Sequence, residues 1–183
     1  MAIRKARPAD FKGIIRALGS FNFKLLNAVD SSAVDDLWPG TFVLRNEVTE
    51  IDLKNGFVAL SGNKIVGFCH YKRYKPGVVK TTLLAVLPEY RKHGFGKALQ
   101  VARMKEAYRR GYKKMMTWSE HPDSQRWYKK HFGYKKVGVE PVSHRLYFFR
   151  LRDKIIWGIH YGFPEFKAQE SLVCDLKRFL DEQ

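Results

Sequence analysis

The part of this chain that decides its fold runs from Val86 to Lys97 and reads VLPEYRKHGFGK. It follows a β-rich run at 78–86 and precedes a helix-forming run at 94–110. A glycine-rich, basic turn that leads from a strand into a helix can cradle a pyrophosphate, because glycine lets the backbone approach the ligand and the first helical amides are unpaired. The helix dipole adds to this attraction. The residues alone also fit an ordinary tight connection between a strand and a helix.

The chain before this turn predicts more strands than helices. Gly62 and Asn63 lie between two apolar runs, a pattern typical of a hairpin turn. The apolar spacing near the start predicts a helix that stops at Gly19. In chain order we expect a strand at 3–6, a helix at 10–19, a short helix at 31–37 within an irregular aromatic segment at 20–50, and strands at 57–60, 65–71 and 78–86.

The chain after the turn predicts alternating helices and strands. Phe95, Leu99 and Ala102 give the first helix an apolar stripe, and Gly111 ends it. We then expect a strand at 115–118, a helix at 122–131, and a closing hairpin formed by strands at 134–139 and 144–151. Near the end of the sequence, one helical face would carry Leu172, Val173, Leu176, Phe179 and Leu180.

The amino-acid sequence of the turn is similar to a known family motif. Val86, Pro88, Arg91, Gly94 and Gly96 occupy every fixed position of V-x-P-x-x-[RQ]-x-x-G-x-[GA]. This is the acyl-CoA motif of the GNAT superfamily of N-acetyltransferases, and the chain resembles that superfamily.

The resemblance implies a fold and a division of the chain. The expected class is α/β (α+β), a GNAT fold in which a mixed, mostly antiparallel central sheet is flanked by helices, plus a C-terminal helix. Residues 1–152 would form the acetyltransferase domain. Residues 153–183 would form an extension whose amphipathic helix packs on the same domain or at a subunit interface.

The resemblance also implies acetyl-CoA as co-substrate and the residues that bind it. The pantetheine arm and the thioester would contact the strand edge at Leu84, Ala85 and Val86. The pyrophosphate would contact the loop residues Arg91, Lys92, His93, Gly94, Phe95, Gly96 and Lys97, mainly through main-chain amides. Ser124 is either a hydrogen-bonding partner of the pantetheine or a small neighbour of it, and Lys92 also fits a solvated surface charge.

A second family signature, N-x-x-A-x-x-x-Y-x-x-x-G-[FY], resembles the stretch from His121 to Tyr134. Tyr128 falls on the tyrosine that protonates the departing CoA thiolate in many members, a role that requires a phenol within hydrogen-bonding reach of the sulfur. The stretch departs from the signature in two places. His121 stands where asparagine is usual, and one extra residue separates Tyr128 from Gly133. A half-buried packing tyrosine is the alternative for Tyr128.

The general base is less well specified by the sequence. Many relatives carry a glutamate on the strand that precedes the glycine loop, and this chain has no carboxylate at 78–84. Glu120 and His121 follow the next strand and are the candidate bases, although each also fits a polar loop residue. His70 is a further candidate and also fits a hydrogen-bonded histidine within the sheet. A water chain is a third route for the amine proton.

The formal net charge of +16 bears on the partners of the chain. A strongly basic surface attracts anions over a long range. CoA is a polyanion and accounts for part of the charge. An acidic acceptor, ribosomal RNA or tRNA would account for more. A lysine-rich surface that serves solubility explains the charge equally well.

Composition limits the class of protein. A chain of 183 residues with 45% hydrophobic residues predicts one folded domain. A helix needs about 20 consecutive apolar residues to span a bilayer, and no run in this sequence approaches that length. The first residues lack the apolar stretch of a signal peptide. The two cysteines, Cys69 and Cys174, lack metal-ligand spacing and predict free thiols in a cytoplasmic protein. No metal and no membrane partner are expected.

The resemblance implies an N-acetyltransferase that moves an acetyl group from acetyl-CoA to a primary amine in a ternary complex. It also implies that the acceptor pocket would come from the segments Phe21–Trp38 and Val139–His144. Two alternatives stay open: acetylation of an RNA-linked or ribosomal amine, and a non-catalytic module of the same fold that binds acyl-CoA or nucleic acid. We expect a monomer or a homodimer.

Overall fold

The computed structural model describes residues 1–21, 23–30, 47–141, 145–151, 154–160 and 165–182. The α-helices within these residues are α1 (Phe11–Gly19), α2 (Phe95–Arg109), α3 (Pro122–Phe132) and α4 (Leu176–Asp181). The strands are β1 (Ala2–Lys5), β2 (Phe23–Asp30), β3 (Glu47–Ile51), β4 (Gly56–Ser61), β5 (Lys64–Lys75), β6 (Val78–Val86), β7 (Lys114–Ser119), β8 (Lys135–Pro141), β9 (Arg145–Leu151), β10 (Lys154–His160) and β11 (Ala168–Asp175). None of these helices is long and apolar enough to cross a membrane.

Within the described residues, the main sheet has seven strands in the order β1-β4-β5-β6-β7-β11-β8. Only the β6–β7 pair is parallel, and the other five neighbouring pairs are antiparallel. Ser61 pairs with Lys64 across the turn between β4 and β5, as a hairpin requires. The mixed, mostly antiparallel sheet expected from the sequence is confirmed.

The parallel pair at the centre of the sheet opens toward one end. β6 and β7 pair at only three positions, Val78 with Lys114, Val79 with Met115 and Lys80 with Met116. Beyond these pairs β6 continues to Val86 and β7 to Ser119 without pairing to each other. The unpaired ends of two neighbouring strands leave main-chain N–H and C=O groups available to a ligand.

The described residues also form a second sheet, of four strands, which was not predicted. Its order is β2-β10-β9-β3, so the expectation of an irregular segment at 20–50 is wrong for β2 and β3. The sheet forms because Phe23, Tyr147 and Phe149 bury their rings together, with centroids 5.9 and 6.1 Å from that of Phe23. The expected helix at 31–37 and Trp38 lie outside the described residues.

The closing hairpin was predicted with the wrong partners. β8 pairs with β11, and β9 pairs with β10 in the second sheet. Strands that follow each other in sequence usually pair, which is why the sequence favours the simpler hairpin. Here the β9–β10 hairpin interrupts the chain between β8 and β11. Gly158 allows this hairpin to pack, because a Cβ at that position would lie 2.2 Å from the Phe23 ring.

The end of the chain differs from its predicted form. Leu172 and Val173 lie in β11, so the expectation that they belong to a helical face is wrong. The change from strand to helix occurs at Asp175, whose carboxylate accepts a hydrogen bond from the Arg178 amide at 3.0 Å. Residues after 152 therefore contribute a strand to the main sheet as well as the helix α4. The division of the chain at residue 152 stays a prediction.

Both faces of the main sheet are buried. On β4, Phe57 and Ala59 belong to the apolar cluster that contains α2 and α4, whereas Val58 belongs to the cluster that contains α1 and the second sheet. This alternation is the one expected when successive side chains of a strand point to opposite faces. The two clusters hold the sheet between helices on one side and the second sheet on the other.

Glu106 on α2 provides a test of stability. Its carboxylate lies 2.9 Å from Lys5 Nζ, 2.9 Å from Arg109 Nε and 2.8 Å from Arg110 Nε. The hydrogen bonds from Arg109, Lys5 and Arg110 lower the pKa of Glu106 to about 2. A depressed carboxyl pKa adds stability above the unfolded-state pKa of about 4.5, and this stability is lost as the pH falls toward 2.

We expect Glu106→Gln to lower the free energy of unfolding at pH 7 by about 1 kcal/mol, a modest value because the partner cations are solvent-exposed. Urea unfolding of both proteins between pH 7 and pH 2.5 measures the difference. The difference should shrink below pH 4.5. A difference that stays constant over this range would show that packing, rather than charge, explains the loss.

Candidate active site

A cleft of about 620 Å³ lies where β6 and β7 diverge. Ten of the predicted site residues line it: Leu84, Ala85, Val86, Arg91, Lys92, Gly96, Glu120, His121, Ser124 and Tyr128. His93, Gly94, Phe95 and Lys97 do not line the cleft. Phe95 is buried instead and packs its ring edge-on against Tyr90 at 5.9 Å. The structure thus brings most of the predicted residues from both sequence signatures to one place.

The glycine loop has the backbone shape of an anion cradle. Lys92 and Gly94 both adopt left-handed backbone conformations, with φ of 63° and 85°. Gly94 is the N-cap of α2, so the amides of the next three residues lack carbonyl partners within the helix. An alternation of left-handed residues in front of a helix N-terminus collects N–H groups that bind phosphate oxygens.

Gly96 lies in the first turn of α2 and lines the cleft. A methyl group at this position would lie 3.8 Å from Trp127 Cζ2 and 3.9 Å from Val86 Cγ2, which are ordinary contact distances. The position therefore accepts an alanine without strain, whereas a longer side chain would occupy space in the cleft.

Arg91 fastens the glycine loop to its surroundings. Its Nε donates a hydrogen bond to the Val86 carbonyl at 3.0 Å, and its Nη2 donates one to the Ser20 carbonyl at 3.1 Å. The guanidinium also lies 5.2 Å from the Phe21 ring centroid. Arg91 therefore joins the end of β6 to the end of α1, in addition to placing positive charge in the cleft.

Tyr128 lies on α3 with only 7% of its surface exposed and lines the cleft. Its hydroxyl oxygen accepts a hydrogen bond from Arg103 Nη2 at 3.0 Å. The extra residue before Gly133 lengthens α3, which ends at Phe132 and is closed by Gly133 in a left-handed conformation with φ of 62°. The insertion is thus absorbed at the end of the helix, and Tyr128 still faces the cleft.

His121 is the N-cap of α3. Its Nδ1 accepts a hydrogen bond from the Asp123 amide at 3.1 Å, which is how an asparagine side chain caps a helix. The ring also packs against Phe166 at 5.4 Å. This cap accounts for the departure from the family signature. A ring nitrogen that accepts a main-chain N–H is already in use and is poorly placed to take a proton from an amine.

Glu120 lies at the end of β7 and is 7% exposed. It lines the cleft between Ser119 and His121. Its main-chain carbonyl and that of Ser119 accept hydrogen bonds from Gln125 Nε2 at 3.2 and 2.9 Å, which fix the turn from β7 into α3. These hydrogen bonds hold Glu120 on a well-supported turn at the cleft.

His70 lies inside the sheet, away from the cleft. It is 1% exposed, and its Nδ1 is 2.6 Å from Thr82 Oγ1. Burial lowers the pKa of His70 to about 3, so the ring stays neutral. The two thiols are buried as well, and burial raises the pKa of Cys69 to about 11 and that of Cys174 to about 12. The structure thus gives these three residues no contact with a ligand in the cleft.

The sequence analysis missed two sets of residues that belong to the site. Tyr147 and His160 line the cleft from the second sheet, alongside Phe21 and Phe23 of the expected acceptor segment. No local pattern connects Tyr147 with His160, because they lie on two separate strands. Of the acceptor residues expected at Val139–His144, those at 139–141 lie in β8 and do not line the cleft, and those at 142–144 lie outside the described part of the chain.

The other omission is Arg103. It is fully buried on α2 and contacts Tyr128. Its position is four residues after Leu99 and four before Ala107, on the buried face of the helix. An arginine in an apolar stripe is a signal that the spacing could have supplied.

Comparisons with known proteins agree with this geometry. The family described as "Acetyltransferase (GNAT) family" matches residues 27–134. Among the curated proteins, no sequence matches this chain significantly.

Solved structures with this fold include Ard1 from Thermoplasma volcanium, with a TM-score of 0.61 and 17% identity over 95% of this chain and 96% of that chain. A ribosomal-protein-alanine N-acetyltransferase from Brucella melitensis has a TM-score of 0.52 and 18% identity over 87% and 98%. Rv2747 from Mycobacterium tuberculosis, whose structure is a complex with CoA and NLQ, has a TM-score of 0.54 and 16% identity over 78% and 76%. At such identities the likeness establishes the fold.

Proposed function

Because this chain belongs to the GNAT acetyltransferase family, we propose that it transfers an acetyl group from acetyl-CoA directly to a primary amine held in the same cleft. The observation that carries the proposal is the meeting of three features in one cleft. They are the unpaired end of β6, the cradle before α2, and the hydroxyl of Tyr128.

The cleft suits acetyl-CoA from end to end. The cradle and the orphan amides of α2 would hold the pyrophosphate, with Arg91 and Lys92 adding positive charge. The pantetheine arm would lie along Leu84–Val86, where β6 has no neighbour on the β7 side. Ser124 lines the same path and can donate a hydrogen bond to the arm. The CoA bound to Rv2747, a protein of this fold, is consistent with this assignment.

The reaction needs an attacking amine, a stabilised oxyanion and a protonated leaving group. The amine nitrogen bonds to the thioester carbonyl carbon, and a strand amide stabilises the oxygen anion that forms. The C–S bond then breaks, and the hydroxyl proton of Tyr128 passes to the sulfur. The proton released by the amine balances the one that Tyr128 gives to CoA.

Glu120 is the group we assign to the removal of the amine proton, directly or through a water molecule. It lies in the cleft and is largely buried, and a carboxylate also attracts the ammonium form of an amine. His121 is the weaker candidate because its Nδ1 caps α3. His70 is excluded from this role by its burial.

The chemistry of the cleft favours an amine on a small molecule or peptide over one on RNA. Among the described lining residues, the side chains of lysine and arginine belong to the glycine loop, at Arg91 and Lys92. The remaining end carries Glu120 and the rings of Phe23 and Tyr147. A carboxylate and aromatic rings suit a cation and repel a phosphate backbone.

We expect labelled acetyl from acetyl-CoA to appear on members of a panel of amines and peptides, and not on RNA-borne amines such as aminoacyl-tRNA. Scintillation counting after separation of RNA, peptide and small-molecule fractions measures the transfer. Because a chain of net charge +16 adheres to RNA at low salt, the assay is run at physiological salt.

Other outcomes of this assay would change the proposal. Label on RNA or ribosomal amines alone would give the positive charge a role in acceptor binding. Tight acetyl-CoA binding with no transfer to any amine would indicate a non-catalytic acyl-CoA module. A cytoplasmic location, and a monomeric or homodimeric state, are parts of the same proposal.

A further inference from the structure

Arg103 is a buried cation in the middle of the fold. It is 0% exposed, and every N–H of its guanidinium has an acceptor. Nε and Nη2 both donate to Gln100 Oε1, and the Nε–Oε1 distance is 2.7 Å. Nη1 donates to the carbonyls of His70 at 3.2 Å and Leu83 at 2.9 Å, and Nη2 also donates to the Tyr128 hydroxyl at 3.0 Å.

None of these partners is an anion. An arginine stays charged in proteins, and a buried charge without a counter-ion costs free energy. The nearby ionisable groups do not compensate, because burial raises the pKa of Cys69 to about 11 and raises that of Tyr134 well above its usual value. Among the described residues, the positive charge of Arg103 is therefore balanced by dipoles alone until an anion forms in its vicinity.

Tyr128 connects this charge to the cleft. The hydroxyl oxygen accepts a hydrogen bond from Arg103, so the guanidinium occupies one side of the hydroxyl group. The O–H proton of Tyr128 must therefore point in another direction. Among the described residues, no acceptor lies within hydrogen-bonding distance of that proton. Because Tyr128 lines the cleft, the proton is available to a ligand there.

We infer that Arg103 is a positioning residue for the transfer reaction, which acts on the departing thiolate through Tyr128. This inference rests on the proposed function. As the C–S bond breaks, the O–H proton of Tyr128 moves to the sulfur, and the N–H of Arg103 stabilises the negative charge left on the phenol oxygen. In a site of low dielectric, a fixed cation at hydrogen-bonding distance has a large effect on such a charge.

A purely structural role for Arg103 has to be separated from this one. The pairing of β5 with β6 shifts register between His70 and Tyr71, and Arg103 donates to the carbonyls of His70 and Leu83 beside that shift. Removal of the guanidinium would take a hydrogen-bond donor from each of these carbonyls and lower the stability. Loss of activity alone therefore does not distinguish the two roles.

A double-mutant cycle distinguishes them. Arg103→Met should lower kcat by roughly tenfold in the wild-type background, with the KM for acetyl-CoA little changed. In a Tyr128→Phe background the same substitution should lower kcat by less than about twofold, because the hydroxyl through which Arg103 acts on the sulfur is already missing. A tenfold loss in both backgrounds would overturn the inference. If Arg103→Met does not fold, the cycle is run with Arg103→Lys, whose single ammonium cannot hold both the carbonyls and Tyr128.

A binding measurement tests the same idea without turnover. A cysteine thiol ionises near pH 8.5 and the thiol of CoA at a somewhat higher pH, so at pH 9 a site that stabilises the anion can bind CoA as its thiolate, whereas desulfo-CoA has no thiol to ionise. We expect the wild-type chain to bind CoA about fivefold more tightly than desulfo-CoA at pH 9 by calorimetry. Comparison of the two ligands cancels titration of the other cleft groups, which are Glu120, His121, Asp123 and His160 with the cations Arg91 and Lys92.

Arg103→Met and Tyr128→Phe should each abolish this preference, so that CoA and desulfo-CoA bind with nearly equal affinity. A preference that Arg103→Met leaves intact overturns the inference while the transferase assignment stands. A chain that binds neither ligand would overturn both the inference and the proposed function.

Discussion

Tyr128→Phe is expected to lower turnover by about 10²-fold with acetyl-CoA and acceptor at saturation. The substitution removes one hydroxyl group and little volume. Without it the sulfur must leave as an unprotonated thiolate, which is a poorer leaving group. The affinity for acetyl-CoA should be nearly unchanged, because the ring and its contacts with Trp127 and Tyr134 remain. Steady-state kinetics and calorimetry measure the two quantities.

Tyr134→Phe is the matched control. Tyr134 is also buried, and its hydroxyl accepts a hydrogen bond from Gln100 at 3.1 Å, but it does not line the cleft. Loss of this hydroxyl should leave turnover within about threefold of wild type, although the free energy of unfolding can fall by about 1 kcal/mol. Equal turnover of wild type and Tyr128→Phe, with chemistry shown to be rate-limiting, would reduce Tyr128 to a packing residue.

Gly96→Glu is expected to abolish the rise in melting temperature that CoA causes. In the wild type, CoA at a hundred times its Kd should raise the melting temperature by about 5 °C or more, since a ligand that binds only the folded state stabilises it. The glutamate would place bulk and negative charge in the cleft where the pyrophosphate is expected. Gly96 is a better position than Gly94 for this test, because Gly94 has a φ of 85° and any side chain there strains the backbone.

Gly96→Ala and Gly96→Gln separate the causes. The alanine methyl group makes only ordinary contacts, 3.8 Å from Trp127 Cζ2, so CoA binding should survive. The glutamine has the size of glutamate without its charge, and should weaken binding less than the glutamate does. Tight CoA binding by Gly96→Glu would contradict the placement of the pyrophosphate at this loop.

The parts of the fold that the sequence predicted well are those set by neighbours in the chain. The helix after Gly94 and the hairpin at Gly62 depend on local backbone conformation and on periodicity, both of which can be read from a short window. The central sheet follows from the same signals once the family motif is recognised. Of these elements, β6, β7 and the start of α2 line the cleft, whereas the hairpin at Gly62 does not.

The second sheet and β11 escaped prediction because their partners are distant in sequence. β9 and β10 pair with each other, but their sheet is completed by β2, more than a hundred residues earlier. The apolar residues around Leu172 fit a strand as well as a helix, and a short window does not separate the two. The strand is favoured because β7 has an edge with which residues 170–175 can pair, and this edge is not evident from a short window.

The candidate site shows the same division between local and distant information. The position of Tyr128 followed from a spacing, and the capping role of His121 was within reach because Pro122 follows it at the start of a helix. Arg103 and Tyr128 are 25 residues apart in sequence and lie on two different helices, so their contact depends on how these helices pack. Packing of that kind is available only from the three-dimensional structure.

The order of strands in the main sheet also governs when the sheet can be completed during synthesis. β11 lies between β7 and β8, yet its residues are made after those of every other strand in that sheet. Until residues 168–175 have left the ribosome, β7 presents an open edge and β8 lacks the neighbour it has in the finished sheet. An open edge of this kind invites pairing with other chains. The nascent protein is therefore expected to need protection by chaperones until its last strand is inserted.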